Sequence, residues 1–162
     1  VGDSIVLTGY GDGTLLQWDL STARMNKVLK SEKWIENIEV NPTDGLAVAG
    51  TGDGSILTWN VFTNSGAVDL LYRDSASFVT ALAFAPSAKV LAACFRKNDG
   101  SSEVGVFDYV TGNLLHTVAH GVFDKSSNPF VDDTRLVIYA DGSFRLLDIV
   151  SKKTLATFEN KK

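Results

Sequence analysis

The chain of 162 residues has one cysteine and only two histidines. A single thiol, Cys94, excludes any disulfide within the chain, and no Asn-x-Ser/Thr acceptor for glycosylation occurs. Cys94 lies in the apolar run VLAACF and is expected to be a small buried hydrophobe. These features favour an intracellular location, either cytoplasmic or nuclear.

Long apolar runs and dense basic stripes are also missing. No apolar stretch approaches the roughly 18–20 residues that span a bilayer, and the first residues do not resemble a signal peptide. The net charge is −4, and neither half of the chain carries the basic stripe that neutralises many phosphates. We therefore expect neither a membrane nor a nucleic acid as a direct partner.

Helical periodicity is nearly absent, and strand patterns recur instead. Each copy of the pattern has an apolar strand, a turn with Asp and Gly, a second apolar strand that ends in a bulky and a polar residue, another turn and a third strand. The four copies are Ile5–Leu29, Leu46–Tyr72, Val90–Val118 and Leu136–Phe158. The sequence therefore predicts a repeat protein that is rich in strands.

A bulky residue followed by a polar one anchors each copy. The four pairs are Trp18-Asp19, Trp59-Asn60, Phe107-Asp108 and Leu147-Asp148, and their first members are 41, 48 and 40 residues apart. A period of about 40–45 residues with an aromatic-acid pair is typical of four-stranded propeller blades. Trp18, Trp59 and Phe107 are expected to be buried wedges between neighbouring sheets.

The first two strands of each copy are predicted to form a hairpin, because an Asp followed by Gly is a strong signal for a tight turn. The turn aspartates are Asp12, Asp53, Asp99 and Asp141. In the third copy the turn is expected to stretch over residues 96–102, so that this longer, polar hairpin projects from the surface.

One more strand precedes some of the copies. Residues 34–40 and 78–84 each read as a strand followed by a turn that contains proline. Alternation in the first of them places Ile35, Asn37 and Glu39 on one face. Before the fourth copy only residues 118–123 resemble such a strand, and the first copy has none. The sequence thus predicts three complete four-stranded units and three strands of another.

These copies resemble WD40 repeats over essentially the whole chain. Family blades end their third strand in Trp-Asp, as Trp18-Asp19 does, and carry an Asp in the preceding turn. The resemblance implies an all-β fold, a β-propeller segment of four-stranded antiparallel blades, within one domain over residues 1–162. Its approximate blades are residues 1–29, 30–72, 73–118 and 119–158.

The resemblance also implies hydrogen bonds that this chain makes only in part. In the family the turn Asp joins a Trp, a Ser or Thr, and the His of a Gly-His pair. Thr8 and Thr51 are the expected hydroxyl members of the first two copies. The Gly-His pair is missing throughout, and His120-Gly121 has the reverse order, so these are degenerate repeats.

The number of copies bears on how the propeller closes. WD40 domains commonly have seven blades, which at about 42 residues each need roughly 290–300 residues. Four copies therefore predict an incomplete ring. Such a ring would have open sheet edges, which favour aggregation. The rest of the same polypeptide, or a second chain, is expected to complete it.

The family resemblance implies a non-catalytic scaffold that binds proteins or peptides, as a subunit of a larger complex. Trp34 and Phe78 each begin an inner strand near the rim where partners dock in such propellers. Buried packing is the first expected role of both residues. As the second, they are, with Arg96 and Lys97 of the third hairpin, the candidate partner-binding residues. The alternative is a structural segment that completes a propeller by self-association or by pairing with remaining blades.

No catalytic, cofactor-binding or metal-binding residues are expected. The glycine-rich stretches 9–13 and 50–54 do not fit a phosphate-binding loop, because each leads into a strand rather than a helix. His116 and His120 lack further ligands for zinc nearby in sequence. The enzyme alternative is a quinoprotein-like propeller, because residues 107–112 look like part of that family's repeat without its tryptophan. His116 or Asp124 would then be required for activity.

Overall fold

A computed structural model describes residues 4–41, 44–62 and 68–159, and of residues 26–29 it describes the backbone alone. These ranges form strands and turns, and no helix long and apolar enough to cross a membrane occurs in them. The strands are β1 (Ile5–Gly9), β2 (Thr14–Asp19), β3 (Arg24–Lys30), β4 (Ile35–Val40), β5 (Leu46–Thr51), β6 (Ser55–Asn60), β7 (Asp69–Arg73), β8 (Ser77–Phe84), β9 (Val90–Lys97), β10 (Ser102–Asp108), β11 (Leu114–Ala119), β12 (Gly121–Val122), β13 (Arg135–Ala140), β14 (Ser143–Asp148) and β15 (Lys153–Glu159).

The described strands form four antiparallel sheets that follow one another along the chain. The first sheet has three strands, β1 to β3. The second, third and fourth sheets have four strands each, β4 to β7, β8 to β11 and β12 to β15. Strands adjacent in sequence are adjacent in each sheet, so short turns suffice to connect them. The all-β class is confirmed.

The chain divides into two compact units, Val1–Thr80 and Ala81–Lys162. The first unit contains the first and second sheets. The second unit contains the fourth sheet and most of the third, whose first strand, β8, spans the division.

Each sheet has one face that carries its bulky anchor residue, which we call the anchor face, and an opposite face. In the first unit, the opposite face of the first sheet packs on the anchor face of the second. Leu15 contributes to this core from the first sheet, and Ala47, Ala49 and Trp59 contribute from the second. Ala47 and Trp59 are direct cross-strand partners, so a small residue lies beside the large one.

The second unit has the same type of core. Here the opposite face of the third sheet packs on the anchor face of the fourth. The buried members include Ala92, Cys94, Val104 and Val106 from the third sheet, and Leu136, Ile138, Ala140 and Leu147 from the fourth. An opposite face therefore meets a following anchor face once in each unit.

A β-bulge changes the register expected for the strand at residues 34–40. Ile35 pairs with Thr51, whereas Asn37 pairs with Gly50, so Glu36 lies at an irregularity in the ladder. The bulge brings Ile35 to the side of Ile38, and both pack on the core of the first unit. The expectation that Ile35 shares a face with Asn37 was wrong, because strict alternation does not hold across a bulge.

The third hairpin is longer than the others because of its strands, not its turn. The Lys97 N–H donates to the Ser101 carbonyl at 2.8 Å, which leaves only Asn98, Asp99 and Gly100 between them. The Tyr10 N–H and Thr14 carbonyl close a turn of the same size in the first hairpin at 2.9 Å. The longer hairpin expected in the third copy is confirmed, but the turn expected over residues 96–102 was wrong, since Arg96, Lys97 and Ser102 lie in strands.

The three aromatic residues that were predicted to be buried wedges differ in how deeply they are buried. Phe107 has no exposed surface and Trp59 is 3% exposed. Trp18 is only half-buried, because the anchor face of the first sheet points away from the second sheet. The expectation of burial was correct for Trp59 and Phe107, and wrong for Trp18.

Removal of the Phe107 ring tests the core of the third sheet. We expect Phe107→Ala to lower the free energy of unfolding by about 3–5 kcal/mol, because it leaves a cavity where a fully buried ring was. The control is Val110→Ala, a truncation at a turn residue that is 80% exposed, with an expected cost within about 0.5 kcal/mol. Urea denaturation measures both, and equal losses would contradict the assignment of Phe107 to the core.

Alanine substitutions at two hairpin glycines distinguish the effect of steric crowding from the effect of backbone strain. Gly54 and Gly100 have φ angles of 75° and 86°, a region that alanine rarely adopts. A Cβ at Gly54 would lie 1.8 Å from the Asp74 carbonyl oxygen, whereas one at Gly100 meets nothing within 4 Å. Gly100→Ala should therefore cost about 1–2 kcal/mol, and Gly54→Ala clearly more. Equal unfolding midpoints for the two variants would show that the close approach at Gly54 is unimportant.

Candidate interaction surface

Trp34 is a large aromatic residue that stays exposed on the first unit. It directly precedes β4, and 42% of its surface is accessible. Its indole lies flat on the turn at Gly52, where a Cβ would be 2.1 Å from the Trp34 Cε2 atom. The Gly52 N–H also donates to the Trp34 carbonyl at 3.1 Å. The turn therefore fixes both the backbone and the ring of Trp34, and only glycine permits this contact.

Phe78 lies next to Trp34. Their ring centroids are 6.5 Å apart with an angle of 59° between the planes, a tilted arrangement that aromatic pairs favour. Phe78 is the second residue of β8 and is half-buried. The structure thus brings together two of the four residues proposed from sequence, although 44 positions separate them in the chain. We call Trp34 and Phe78 the aromatic patch.

Tyr10 is an exposed aromatic residue that the sequence reasoning missed. It is 46% exposed in the first hairpin, and its carbonyl accepts a hydrogen bond from the Ile35 N–H at 3.2 Å. This bond connects the hairpin to the residue that follows Trp34. Tyr10 also lines an open groove with Gly11, Asp12, Thr14 and Leu16. Its signal in the sequence is a bulky side chain in a turn otherwise made of small residues.

Arg96 and Lys97 lie on β9 in the second unit and are considered separately from the aromatic patch. Arg96 is exposed. The Lys97 ammonium group forms an ion pair with Glu103 at 3.2 Å across the hairpin. The structure therefore gives Lys97 a role within its own hairpin.

Ion pairs cross the sheets beside the first two hairpins. Lys30 pairs with Asp12 at 3.0 Å, and Arg73 pairs with Asp53 at 2.7 Å. Exposed pairs of this kind add little stability. They do place charge near Tyr10 and Gly52, which gives the aromatic patch polar surroundings.

The polar members of the anchor pairs all cap the turn that follows their strand. Asp19 accepts hydrogen bonds from the N–H and hydroxyl of Ser21 at 2.8 and 2.5 Å. Asn60, Asp108 and Asp148 likewise accept from the backbone N–H of Phe62, Thr111 and Ser151. An Asp or Asn oxygen that binds an N–H two or three residues ahead stabilises a turn. The anchor pair thus combines one packing residue with one turn cap.

Three of the four hairpin aspartates act in the same way. Asp12, Asp53 and Asp99 accept a hydrogen bond from the N–H two residues ahead, at 2.9, 3.3 and 2.8 Å. Asp141 differs, because it occupies the turn itself with a φ of 48° and pairs with Arg145 at 2.8 Å. Turn capping is sufficient to explain why Asp recurs in these turns, and no role in ligand chemistry is needed.

The first copy makes one of the hydrogen bonds that the family resemblance implied, and the second copy makes another. The Trp18 indole N–H donates to the Thr8 hydroxyl at 3.1 Å. The Thr51 hydroxyl donates to Asp53 at 2.7 Å, but the buried Trp59 indole N–H has no partner among the described residues. Ala49 holds the position of Thr8 in the second copy, so the role expected for Thr51 is met only toward Asp53.

Burial shifts the pKa of the Cys94 thiol and of the His116 imidazole. Burial raises the pKa of the Cys94 thiol to about 12, although the Phe123 N–H bonds to the sulfur at 3.2 Å. Burial, and then the charge of Lys152, lower the pKa of His116. Asp124 accepts hydrogen bonds from Ser126, as a turn cap does. In the part of the chain that the structure describes, no group of three His, Cys, Asp or Glu side chains is placed to hold a metal ion.

Comparisons of the sequence with protein-family models and with curated proteins gave no match.

The turn caps predict a pH dependence of stability. Hydrogen bonds from Ser21 to Asp19, and from Thr14 to Asp12 with help from Lys30, lower the pKa of each carboxyl from 3.8 to about 2. A carboxyl with a lowered pKa stabilises the folded state above its unfolded pKa, and this contribution is lost as the pH falls through the folded pKa. Titration of these two carboxyls should therefore lower the melting temperature as the pH falls from about 4 to about 2.

Asp19→Asn isolates one of these carboxyls. Asparagine keeps an oxygen that can accept the bonds from Ser21, but it does not titrate. We expect the fall in melting temperature between about pH 4 and pH 2 to be smaller in Asp19→Asn than in the wild type. Thermal unfolding followed by circular dichroism provides the comparison, and identical slopes would show that Asp19 does not contribute.

Proposed function

We propose that this chain is a segment of a WD40-like β-propeller and a non-catalytic platform for protein or peptide partners. Three observations support the proposal. Four sheets follow one another along the chain, the same type of contact between sheets forms once in each unit, and Asp or Asn residues cap equivalent turns. A rigid framework of this kind can present short turns to a partner.

The observation that carries the functional proposal is the exposed indole of Trp34. A tryptophan held in place while 42% exposed is well suited to anchor a partner, because tryptophan is enriched among the residues that dominate binding energy. The contacts with Gly52 and Phe78 hold the ring before any partner arrives. Binding then costs less side-chain entropy than it would for a freely rotating ring.

The chemistry of the patch indicates what a partner must offer. Trp34 and Phe78 supply apolar ring surface, and the ion pairs of Asp12 with Lys30 and Asp53 with Arg73 lie beside the neighbouring hairpins. Interfaces commonly have an apolar centre with a polar rim. A matching ligand is a peptide or protein surface with an aliphatic or aromatic side chain at its centre and polar groups around it.

A selection of random peptides displayed on phage tests this function. Peptides that bind the wild-type chain should lose affinity at least about 30-fold on Trp34→Ala, because a dominant interface residue contributes about 2 kcal/mol or more. Val150→Ala, a change at an exposed apolar residue of a turn in the second unit, should leave the affinity unchanged. Peptides that bind Trp34→Ala as tightly as the wild type would contradict the proposal.

Gly52→Ala provides an indirect test of the same site. The new methyl group must displace the indole, since the Cβ would lie 2.1 Å from the Trp34 ring. Affinity for the selected peptides should therefore fall although Trp34 itself is present. The melting temperature of the variant, measured beforehand, separates a displaced ring from an unfolded chain.

A further inference from the structure

The opposite face of the fourth sheet carries an exposed apolar row. Val122, Tyr139, Phe144 and Phe158 are direct neighbours across β12 to β15. Their exposed fractions are 37%, 41%, 48% and 55%, and the rings of Tyr139 and Phe144 meet edge to face at 5.2 Å. A second row, Val137, Leu146 and Ala156, is half-buried beside the first. We call these two rows the trailing face.

The anchor face of the first sheet is the second exposed apolar surface. Val6, Trp18 and Met25 are direct neighbours across β1, β2 and β3, and Val6 and Met25 are 39% and 49% exposed. Leu16 and Thr8 pair in the next row. We call this surface the leading face.

Each of these surfaces is one half of a contact that the chain already makes. In the first and third sheets, the opposite face is buried against the anchor face of the sheet that follows. The trailing face is the same kind of surface on the fourth sheet, and the leading face is the same kind on the first. Together they supply both halves of another contact.

The Trp18 indole N–H on the leading face already has a hydrogen-bond partner. The Trp18 indole N–H donates to the Thr8 hydroxyl at 3.1 Å. Burial of this N–H therefore does not carry the free-energy cost of an unpaired polar group. The two rows of the trailing face contain no charged side chain, as at the core of most interfaces. Met25 adds a flexible side chain that adapts to the opposing surface.

We propose that the trailing face binds the leading face of a second copy of this chain. The contact is heterologous, because two different surfaces meet, and it repeats the contact between sheets that each unit contains. Contiguous apolar rows of this kind commonly mark a site of association. This association is independent of the aromatic patch, which lies on neither face.

Two charged variants, each blocking one face, test the direction of assembly. Phe144→Arg places a charge on the trailing face, and Val6→Arg places one on the leading face; both positions are exposed in the single chain. The control, Val150→Arg, introduces the same charge at a turn residue that is 76% exposed. Melting temperatures confirm first that all three variants fold.

Light scattering then gives the mass in solution. The wild type and Val150→Arg should rise above the 17.4 kDa of one chain as concentration increases. Phe144→Arg and Val6→Arg should each remain at the mass of one chain. An equimolar mixture of the two should reach twice that mass and stop, because only one intact leading face and one intact trailing face remain per pair.

Two results would overturn the proposal. A wild-type chain that remains monomeric up to its solubility limit would show that a second copy does not cover these faces, and would leave further repeats of a longer polypeptide as their occupant. Assembly of Val6→Arg alone would show instead that two trailing faces meet each other. Neither result bears on peptide binding at Trp34, so the two proposals fail independently.

Discussion

The packing of an anchor face on the preceding sheet is the contact on which the other features depend. A small antiparallel sheet cannot bury its own apolar residues, so it needs a second layer. Trp59 in the first unit and Leu147 in the second meet this need in the same way. The neighbours of the anchor are partly alanines, such as Ala47 and Ala49, which leave room for the larger side chain. Once this contact forms, it fixes the positions of the turns at the ends of the strands.

The capped turns at the ends of the packed strands position the candidate site. Asp and Asn side chains cap the turns, and this fixes where each strand begins and ends. The turn around Gly52 in turn supports Trp34, whose ring lies where any larger residue would intrude. The turn aspartates are therefore structural, and they help to position Trp34, the residue that we propose meets a partner.

The exposed apolar surface is of two kinds, and they differ in geometry. The aromatic patch is compact, lies at strand ends and has ion pairs beside the neighbouring hairpins. The leading and trailing faces are flat rows that run across whole sheets. A compact patch with polar surroundings suits a peptide or a small part of a folded partner, whereas a flat row suits another sheet. The two proposals therefore place a ligand and a second copy of the chain on separate surfaces.

Much of the fold is determined by the sequence itself. The repeat of anchor pairs and turn aspartates predicts the sheets and their order, because pairing of adjacent strands depends on local patterns. Trp34 and Phe78 were proposed as partner-binding residues from sequence; the structure places their rings 6.5 Å apart, and their role in binding stays a prediction. Three features needed the tertiary structure: the bulge at Glu36, the half-exposed Trp18 and the contribution of Tyr10. The reason is that a local pattern specifies which residues share a face, whereas burial depends on whether another sheet covers that face. Trp18 and Trp59 occupy equivalent positions, yet only Trp59 has a sheet packed over it.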